Sequence, residues 1–362
     1  MKMLKKALAV AMASAMTFAL AACGGTGTVS TTAPAAATTA AASKAETTMA
    51  AAAATTAAAT TAAATTAAKA SGDNGNYTIA VVLKTLSSEY WNYVKAGCDA
   101  ASKDLGVKVT VVGPNAESEI AEQVSMIEQQ LGQGVSAIVC APNDSSSAAA
   151  ALQKFVDKKI PVVFVDTDAD LAGKTSFVGT GNEDAAGVGG KFAVDKLGKG
   201  GKVAIVYGQE GEGTSNARKT GYETALKAGG MDIVAEQSGN NTTDGALATM
   251  EAMLNAHPDV KAVCCHNDDT ALGVLKACQN ANVKDMLIVG FDGNKTAVQS
   301  IIDGGITATV AQQPYNMGYQ AVETALKAVK GEKVEQKIKV DAKLVTKDNA
   351  KQYLDDLAKL LK

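Results

Sequence analysis

Thr78-Ile79-Ala80-Val81-Val82-Leu83 decides the fold. After Thr78 the run has no polar–apolar alternation, the mark of a strand buried on both faces of a parallel sheet. It leads into Lys84-Thr85-Leu86-Ser87-Ser88-Glu89-Tyr90-Trp91 and a helical stretch spanning residues 88–105. The alternation then recurs. Strand-like runs at 107–112, 137–140 and 161–165 are separated by helical stretches at 116–131 and 145–158. A second series places strands at 202–207, 232–236, 260–265 and 286–291, with helices at 183–197, 215–228, 243–256 and 270–281. Val310-Ala311-Gln312-Gln313-Pro314 closes another strand ahead of a helix, and residues 347–361 read as a last amphipathic helix. Strand–helix–strand repetition implies parallel sheets with right-handed crossovers. Two successive series predict two Rossmann-like α/β lobes, because single cores stop growing at about 250–300 residues.

Composition excludes several classes of function. The 362-residue chain has a net charge of −3, which leaves no basic excess for a nucleic-acid footprint. Its two histidines lack metal-ligand spacing, so no metal is expected. Beyond Cys23 there are Cys98, Cys140, Cys264, Cys265 and Cys278, an odd number at irregular spacing among apolar residues. They read as small buried hydrophobes rather than a disulfide framework.

The N-terminus reads as an address followed by a tether. Lys2, Lys5 and Lys6 precede an apolar run at 7–20, so residues 1–22 read as an export signal. That run falls short of the roughly 20 residues needed to span a bilayer. It ends in Leu20-Ala21-Ala22-Cys23-Gly24, which resembles the lipobox of bacterial lipoproteins. The resemblance implies lipidation of Cys23 and anchorage on the outer face of a membrane. Residues 23–75 are almost wholly Ala, Thr, Ser and Gly and cannot bury a core. As a flexible tether of about 50 residues this segment would span roughly 40 Å.

In parallel α/β sheets, ligands bind beyond the carboxyl ends of the strands. The first strand end carries Lys84, Ser88, Tyr90 and Trp91 and has no Gly-x-Gly-x-x-Gly turn, so no nucleotide cofactor is expected. Trp91, the only Trp, and Tyr90 offer flat apolar faces with polar tips, suited to the C–H face of a sugar ring. The fourth strand ends in Asp166-Thr167-Asp168. Gly208-Gln209-Glu210-Gly211-Glu212-Gly213 is glycine-rich, but its two carboxylates argue against a phosphate, and Ser215 reads as a helix cap. Arg218 is the only Arg among many Lys, a planar fork suited to vicinal hydroxyls or a carboxylate. Asn267, Asp292 and Gln312 follow further strands, and His266 reads as a packed neighbour. No nucleophile–His pair, metal cluster or cofactor loop appears, which argues against an enzyme with catalytic residues.

With these residues in order, the chain from about 77 to 345 resembles the periplasmic sugar-binding proteins of ABC importers, type I periplasmic binding proteins on the ribose-binding pattern. The likeness rests on Tyr90-Trp91, Asp166, Arg218 with Gly221, Asn267-Asp268, Gly290-Phe291-Asp292-Gly293 and Ala311-Gln312. It implies two lobes joined by a three-strand hinge. The N-terminal lobe would comprise residues 76–180 and 313–341, and the C-terminal lobe 181–312 and 342–362. It further implies a monomer that encloses a pentose or hexose and delivers it to a permease. Carried over, the ligand-binding set is Lys84, Ser88, Tyr90, Trp91, Asp166, Thr167, Arg218, Asn241, Asn267, Asp292 and Gln312. The chain departs from the ribose pattern in four places. Lys84 stands where ribose binders have a small hydroxyl residue, Ala141 and Thr167 where they have Asn and Arg, and Asn241 where they have an aromatic. The aromatic sandwich is thus open on one side and a charged clamp has moved. Lys84 is also similar to relatives that bind the furanosyl signal autoinducer-2. A sensor presenting its ligand to a chemoreceptor or kinase therefore stands as the alternative. Repressors with the same sensor fold carry a helix-turn-helix ahead of it, where this chain has a lipobox and tether.

Overall fold

The apolar runs assemble into two six-stranded sheets. The computed structural model describes residues 76–360; the export signal, Cys23, the 23–75 segment and the last two residues lie outside the described residues. The first series runs β1 (Thr78–Val82), α1 (Glu89–Leu105), β2 (Lys108–Val112), α2 (Ile120–Gly132), β3 (Ala137–Cys140), α3 (Ser145–Asp157), β4 (Val162–Val165) and β5 (Ser176–Gly179). The second runs α4 (Asn182–Leu197), β6 (Lys202–Tyr207), α5 (Gly213–Ala228), β7 (Asp232–Ser238), α6 (Thr243–Ala256), β8 (Ala262–Cys265), α7 (Asp268–Asn280), β9 (Leu287–Asp292), α8 (Lys295–Asp303) and β10 (Ala308–Ala311). The chain then returns with α9 (Pro314–Val329) and β11 (Lys337–Lys339), and ends with β12 (Lys343–Thr346) and α10 (Ala350–Leu360).

Sheet order is β2-β1-β3-β4-β5-β11 in the first lobe and β7-β6-β8-β9-β10-β12 in the second. Every pairing is parallel except β10 with β12. The chain passes between the sheets three times: after β5, after β10, and between β11 and β12. β5, β11 and β12 are three or four residues long and carry Ser, Gly or Lys, so they lack the apolar signal that marks the other strands.

Both faces of each sheet are covered. In β1, Ile79 and Val81 pack with Val94, Cys98 and Met317 on the α1/α9 side, while Ala80 and Val82 pack with Ile127, Leu152 and Phe155 on the α2/α3 side. In β8, Cys264 and Cys265 point to opposite faces and join different cores, and all five described cysteines are free and buried. Burial pushes their thiols up, to about 11 for Cys278 and about 12 for Cys98 and Cys264. Full burial of a Leu, Ile or Phe contributes about 1.5–3 kcal/mol.

Among the helix starts that differ from the sequence reading, two bear on the cleft. α2 begins at Ile120 rather than 116, because Glu119 Oε2 accepts from the backbone of Asn115 and Ala116 (2.9 and 3.3 Å) and ties residues 115–119 into a turn. α5 begins at Gly213, so Ser215 lies inside the helix and is not its cap.

α1 and α9 cross at two glycines. A Cβ on Gly97 would lie 1.9 Å from the Tyr315 carbonyl oxygen, and one on Gly318 would lie 2.1 Å from that of Val94. Gly97→Ala should therefore destabilise the fold by about 1–3 kcal/mol, the usual cost of overpacking. Gly132→Ala, where an added Cβ meets nothing within 4 Å, should be neutral or slightly stabilising. Urea denaturation of both variants checks this. Equal stability would show that the helix crossing yields freely.

Candidate functional site

The carboxyl ends of the two sheets face one another across a narrow cavity lined mainly by polar side chains. The first lobe contributes Lys84 after β1, Ser88 with Tyr90 and Trp91 at the start of α1, Glu117 ahead of α2, and Asp166 after β4. The second contributes Glu212, Thr214 and Arg218 around the start of α5, His266, Asn267 and Asp269 between β8 and α7, and Asp292 at the end of β9.

Local structure aims these groups. Ser88 is the N-cap of α1 and its Oγ accepts from the Trp91 amide at 3.5 Å. This fixes where the helix starts and so brings Tyr90 and Trp91 into the first turn. Their rings meet edge to face, 5.1 Å apart at 89°. Trp91 Nε1 donates to Glu117 Oε1 (2.7 Å) and Tyr90 Oη to Asp166 Oδ2 (2.5 Å), so both rings are held by their polar tips. Asp166, Asn241 and Asp292 have φ of 63°, 60° and 119°. Such backbone costs a non-glycine residue about 1–3 kcal/mol and marks positions where orientation is needed.

Arg218 is almost wholly engaged by the protein. Its guanidinium lies 3.8 Å over the Phe291 ring, Nε donates to Asn182 Oδ1 (2.8 Å), and Nη1 donates to the His266 carbonyl (2.9 Å) and lies 3.5 Å from Asp292 Oδ1. Among the described residues nothing accepts from Nη2, so the fork offers one nitrogen rather than two. Burial pushes the Asp292 carboxyl well up, with Arg218 opposing. Burial, helped by Arg218 and Lys84, holds His266 far below its ordinary value, so its imidazole is neutral near pH 7. Asp269 is pushed up to about 6 by burial and by the nearby Glu117 and Glu89.

A Lys339–Asp184 ion pair (3.2 Å) ties lobe to lobe beside the crossovers, and three further contacts do so around the cleft. Lys84 pairs with Glu212, both 3% exposed. Asn241 Nδ2 donates to Glu117 Oε2 (2.8 Å) and also to Glu212 Oε2 (3.1 Å). Outside the cavity, Glu89 caps α8 from the opposite lobe: it accepts from the Lys295 amide and from Thr296 Oγ1, both at 2.7 Å. The N-cap of α8, Asn294, makes no side-chain cap of its own.

Eight of the eleven expected residues line the cavity: Lys84, Ser88, Tyr90, Trp91, Asp166, Arg218, Asn267 and Asp292. Thr167, Asn241 and Gln312 stand behind it instead. Thr167 Oγ1 donates to Asp166 Oδ1 (2.8 Å), and Gln312 Nε2 donates to Asp292 Oδ1 (2.8 Å). Each therefore orients a lining carboxylate. Asn267 lines the cavity, yet its Oδ1 caps α7 through the Thr270 amide at 2.8 Å. Glu117, Glu212, Thr214, His266 and Asp269 also line the cavity and are absent from the expected set. Glu117 was assigned to a helix, whereas it sits in the turn before one. Glu212 and Thr214 lie in the glycine-rich loop already noticed, and His266 lies beside Asn267 at the same strand end.

Residues 79–333 match the model of the periplasmic binding protein domain. The ribose import binding protein RbsB of Bacillus subtilis (strain 168) is 36% identical over 276 residues, 76% of this chain and 89% of that protein. The D-allose-binding periplasmic protein of Escherichia coli (strain K12) is 34% identical over 70% of this chain and 85% of its own length. Among solved structures, an ABC transporter solute-binding protein from Actinobacillus succinogenes 130z with bound D-allose superposes with a TM-score of 0.73 at 30% identity, covering 76% of this chain and all of that one. One from Agrobacterium vitis with bound D-fucose gives 0.72 at 34% identity, over 75% and 96% of the two chains. With two parallel sheets meeting over a polar cavity and a family model spanning both, the chain belongs to the periplasmic binding proteins.

Proposed function

We propose that the chain is an extracytoplasmic solute-binding lipoprotein that captures a monosaccharide, a pentose or hexose, between its lobes and delivers it to the permease of an ABC importer. The observation that carries this reading is the mixed lining of the cavity, where Tyr90 and Trp91 lie among carboxylates and Arg218. A sugar ring has the matching character: a C–H face that stacks and hydroxyls that both donate and accept. The named sugars of the relatives, ribose, D-allose and D-fucose, share that character. The chain binds its solute and is not an enzyme.

In this reading the Tyr90 and Trp91 rings, set at 89° to each other, pack on the sugar by one face and one edge, and Asp166, Asp292 and Asn267 with the free Arg218 nitrogen pair its hydroxyls. Lys84 and Ser88 complete the wall of the first lobe, and Thr167, Asn241 and Gln312 hold lining groups from behind. Selectivity follows from burial, because a hydroxyl absent from the ligand strands a polar group at about 1–3 kcal/mol. Contacts to both lobes favour the closed form, which the permease then reads. The Leu20-Ala21-Ala22-Cys23 motif supports a lipid on Cys23 that keeps the lobes near the permease.

A neutral monosaccharide at about a hundredfold its Kd should stabilise the native chain by about 2.7 kcal/mol and raise Tm by roughly 5–10 °C. A thermal-shift panel of pentoses, hexoses, cyclitols and nucleosides checks this. If no sugar on the panel raises Tm, the carbohydrate assignment fails. For the sugar found, Glu89→Ala should raise Kd about three- to tenfold by calorimetry, since the closed form loses its cross-lobe cap. An unchanged Kd would remove Glu89 from the closing mechanism. Cys23→Ala, expressed in a lipoprotein-processing bacterium, should shift the protein from the membrane to the soluble extracytoplasmic fraction. Continued membrane retention would refute the lipid anchor.

A further inference from the structure

We propose that the Lys84–Glu212 pair sets the charge class of the ligand, making the cleft accept uncharged sugars and reject acidic ones. The proposal rests on the monosaccharide reading above and narrows it.

Lys84 and Arg218 are the basic residues lining the cavity. Two buried cations at strand ends would ordinarily attract a uronate or a sugar phosphate. Here the protein has already neutralised both, Arg218 through Asp292 within the second lobe and Lys84 through Glu212 from across the cleft. Glu212 is held on every side. Besides Lys84 it accepts from Thr214 Oγ1 (2.5 Å) and Asn241 Nδ2 (3.1 Å), and His266 Nε2 lies 3.9 Å from Oε2. The other lining carboxylates, Glu117, Asp166 and Asp269, form no ion pair among the described residues. The lining therefore carries five acids against two bases.

An acidic sugar meets a cost wherever its anion is placed. To reach Lys84 it must displace Glu212, which leaves a buried carboxylate without its countercharge, the expensive way to break an ion pair. Elsewhere it faces the three unpaired carboxylates. A hydroxyl meets neither penalty, because it donates to a carboxylate and accepts from Arg218 Nη2. Rejection thus comes from a cost built against the wrong ligand rather than from weaker contacts to the right one.

The logic predicts opposite changes when each partner is neutralised. Glu212→Gln leaves the Lys84 ammonium seeking an anion, and Lys84→Met leaves the Glu212 carboxylate seeking a cation. The test uses the full chain and matched sets built on ribose, allose, galactose and glucose. Each set comprises the neutral sugar, its acid (uronate or terminal phosphate) and its amine. The set whose neutral member stabilises the parent is then titrated by calorimetry. The parent should bind the neutral sugar and show at least tenfold weaker binding of the acid. Glu212→Gln should raise the acid-to-neutral affinity ratio at least tenfold, and Lys84→Met should do the same for the amine-to-neutral ratio. A parent that binds acid and neutral sugar alike overturns the proposal while leaving monosaccharide capture intact. So does either variant if it keeps the circular dichroism of the parent and leaves its ratio unchanged. A parent that no neutral sugar stabilises refutes the underlying reading instead. The two variants are independent, so loss of fold in one leaves the other decisive.

Discussion

The cleft buries charge, and each buried charge needs a partner. That constraint organises the molecule. Lys84, Glu212, Arg218 and Asp292 are each less than a tenth exposed, which would be prohibitively costly for isolated ions. They are tolerable because each faces an opposite charge, and Glu212, Arg218 and Asp292 also make further hydrogen bonds. Two of the pairings, Lys84 with Glu212 and Glu117 with Asn241, have one member on each lobe. Separating the lobes returns those groups to water, where they need no partner. The cleft is therefore polar in a way that suits both states, hydrated when open and self-satisfied when closed.

The cost of orientation falls on the backbone. Asp166 and Asp292 occupy equivalent places, at the end of the fourth strand of one lobe and of the fourth of the other, and both have positive φ. A supporting side chain then fixes each carboxylate, Thr167 for Asp166 and Gln312 for Asp292. Gln312 lies where the chain passes from β10 to α9, so the group that positions Asp292 belongs to a crossover between the lobes. Hinge and ligand site are thereby in direct contact through one 2.8 Å hydrogen bond. A change in crossover geometry is felt at a lining carboxylate without any intervening residue.

The strands buried on both faces were legible in the sequence because burial on two sides removes all alternation, as in Thr78 to Leu83. Most of the cleft was legible for a related reason: parallel sheets put ligands at strand carboxyl ends, so reading the residue after each strand finds Lys84, Asp166 and Asp292. What stayed hidden depends on side-chain partners. Nothing local distinguishes Thr167, which orients Asp166, from a residue that lines the cavity. Glu117 was hidden because two carboxylate hydrogen bonds from Glu119 delay the helix by about one turn. Asn241 looked like the gap left by a missing ring. In the structure it links Glu117 to Glu212, so a cross-lobe hydrogen bond fills the place of an aromatic wall. Arg218 was read as a free fork, but only its partners reveal that two of its three nitrogens are occupied.

Cross-lobe bonds also constrain how a two-lobed binding protein can signal occupancy. Moving an equilibrium from mostly open to mostly closed takes about 5.5 kcal/mol of differential binding. Glu89 on α8, Lys84 on Glu212 and Asn241 on Glu117 each favour the arrangement in which the lobes meet. A net hydrogen bond contributes about 0.5–1.5 kcal/mol, more when charged. If the three together exceeded the cost of ordering the lobes, the empty protein would close and occupancy would carry no information. The acid excess in the cavity works against this outcome. Glu117, Asp166 and Asp269 form no ion pair among the described residues, and burial, with Glu117 and Glu89 nearby, raises the Asp269 carboxyl to about 6. On the proposed reading, sugar hydroxyls would donate hydrogen bonds to those carboxylates and offset that cost. The cross-lobe pairs and the crowding of acids in the cavity lining thus oppose each other.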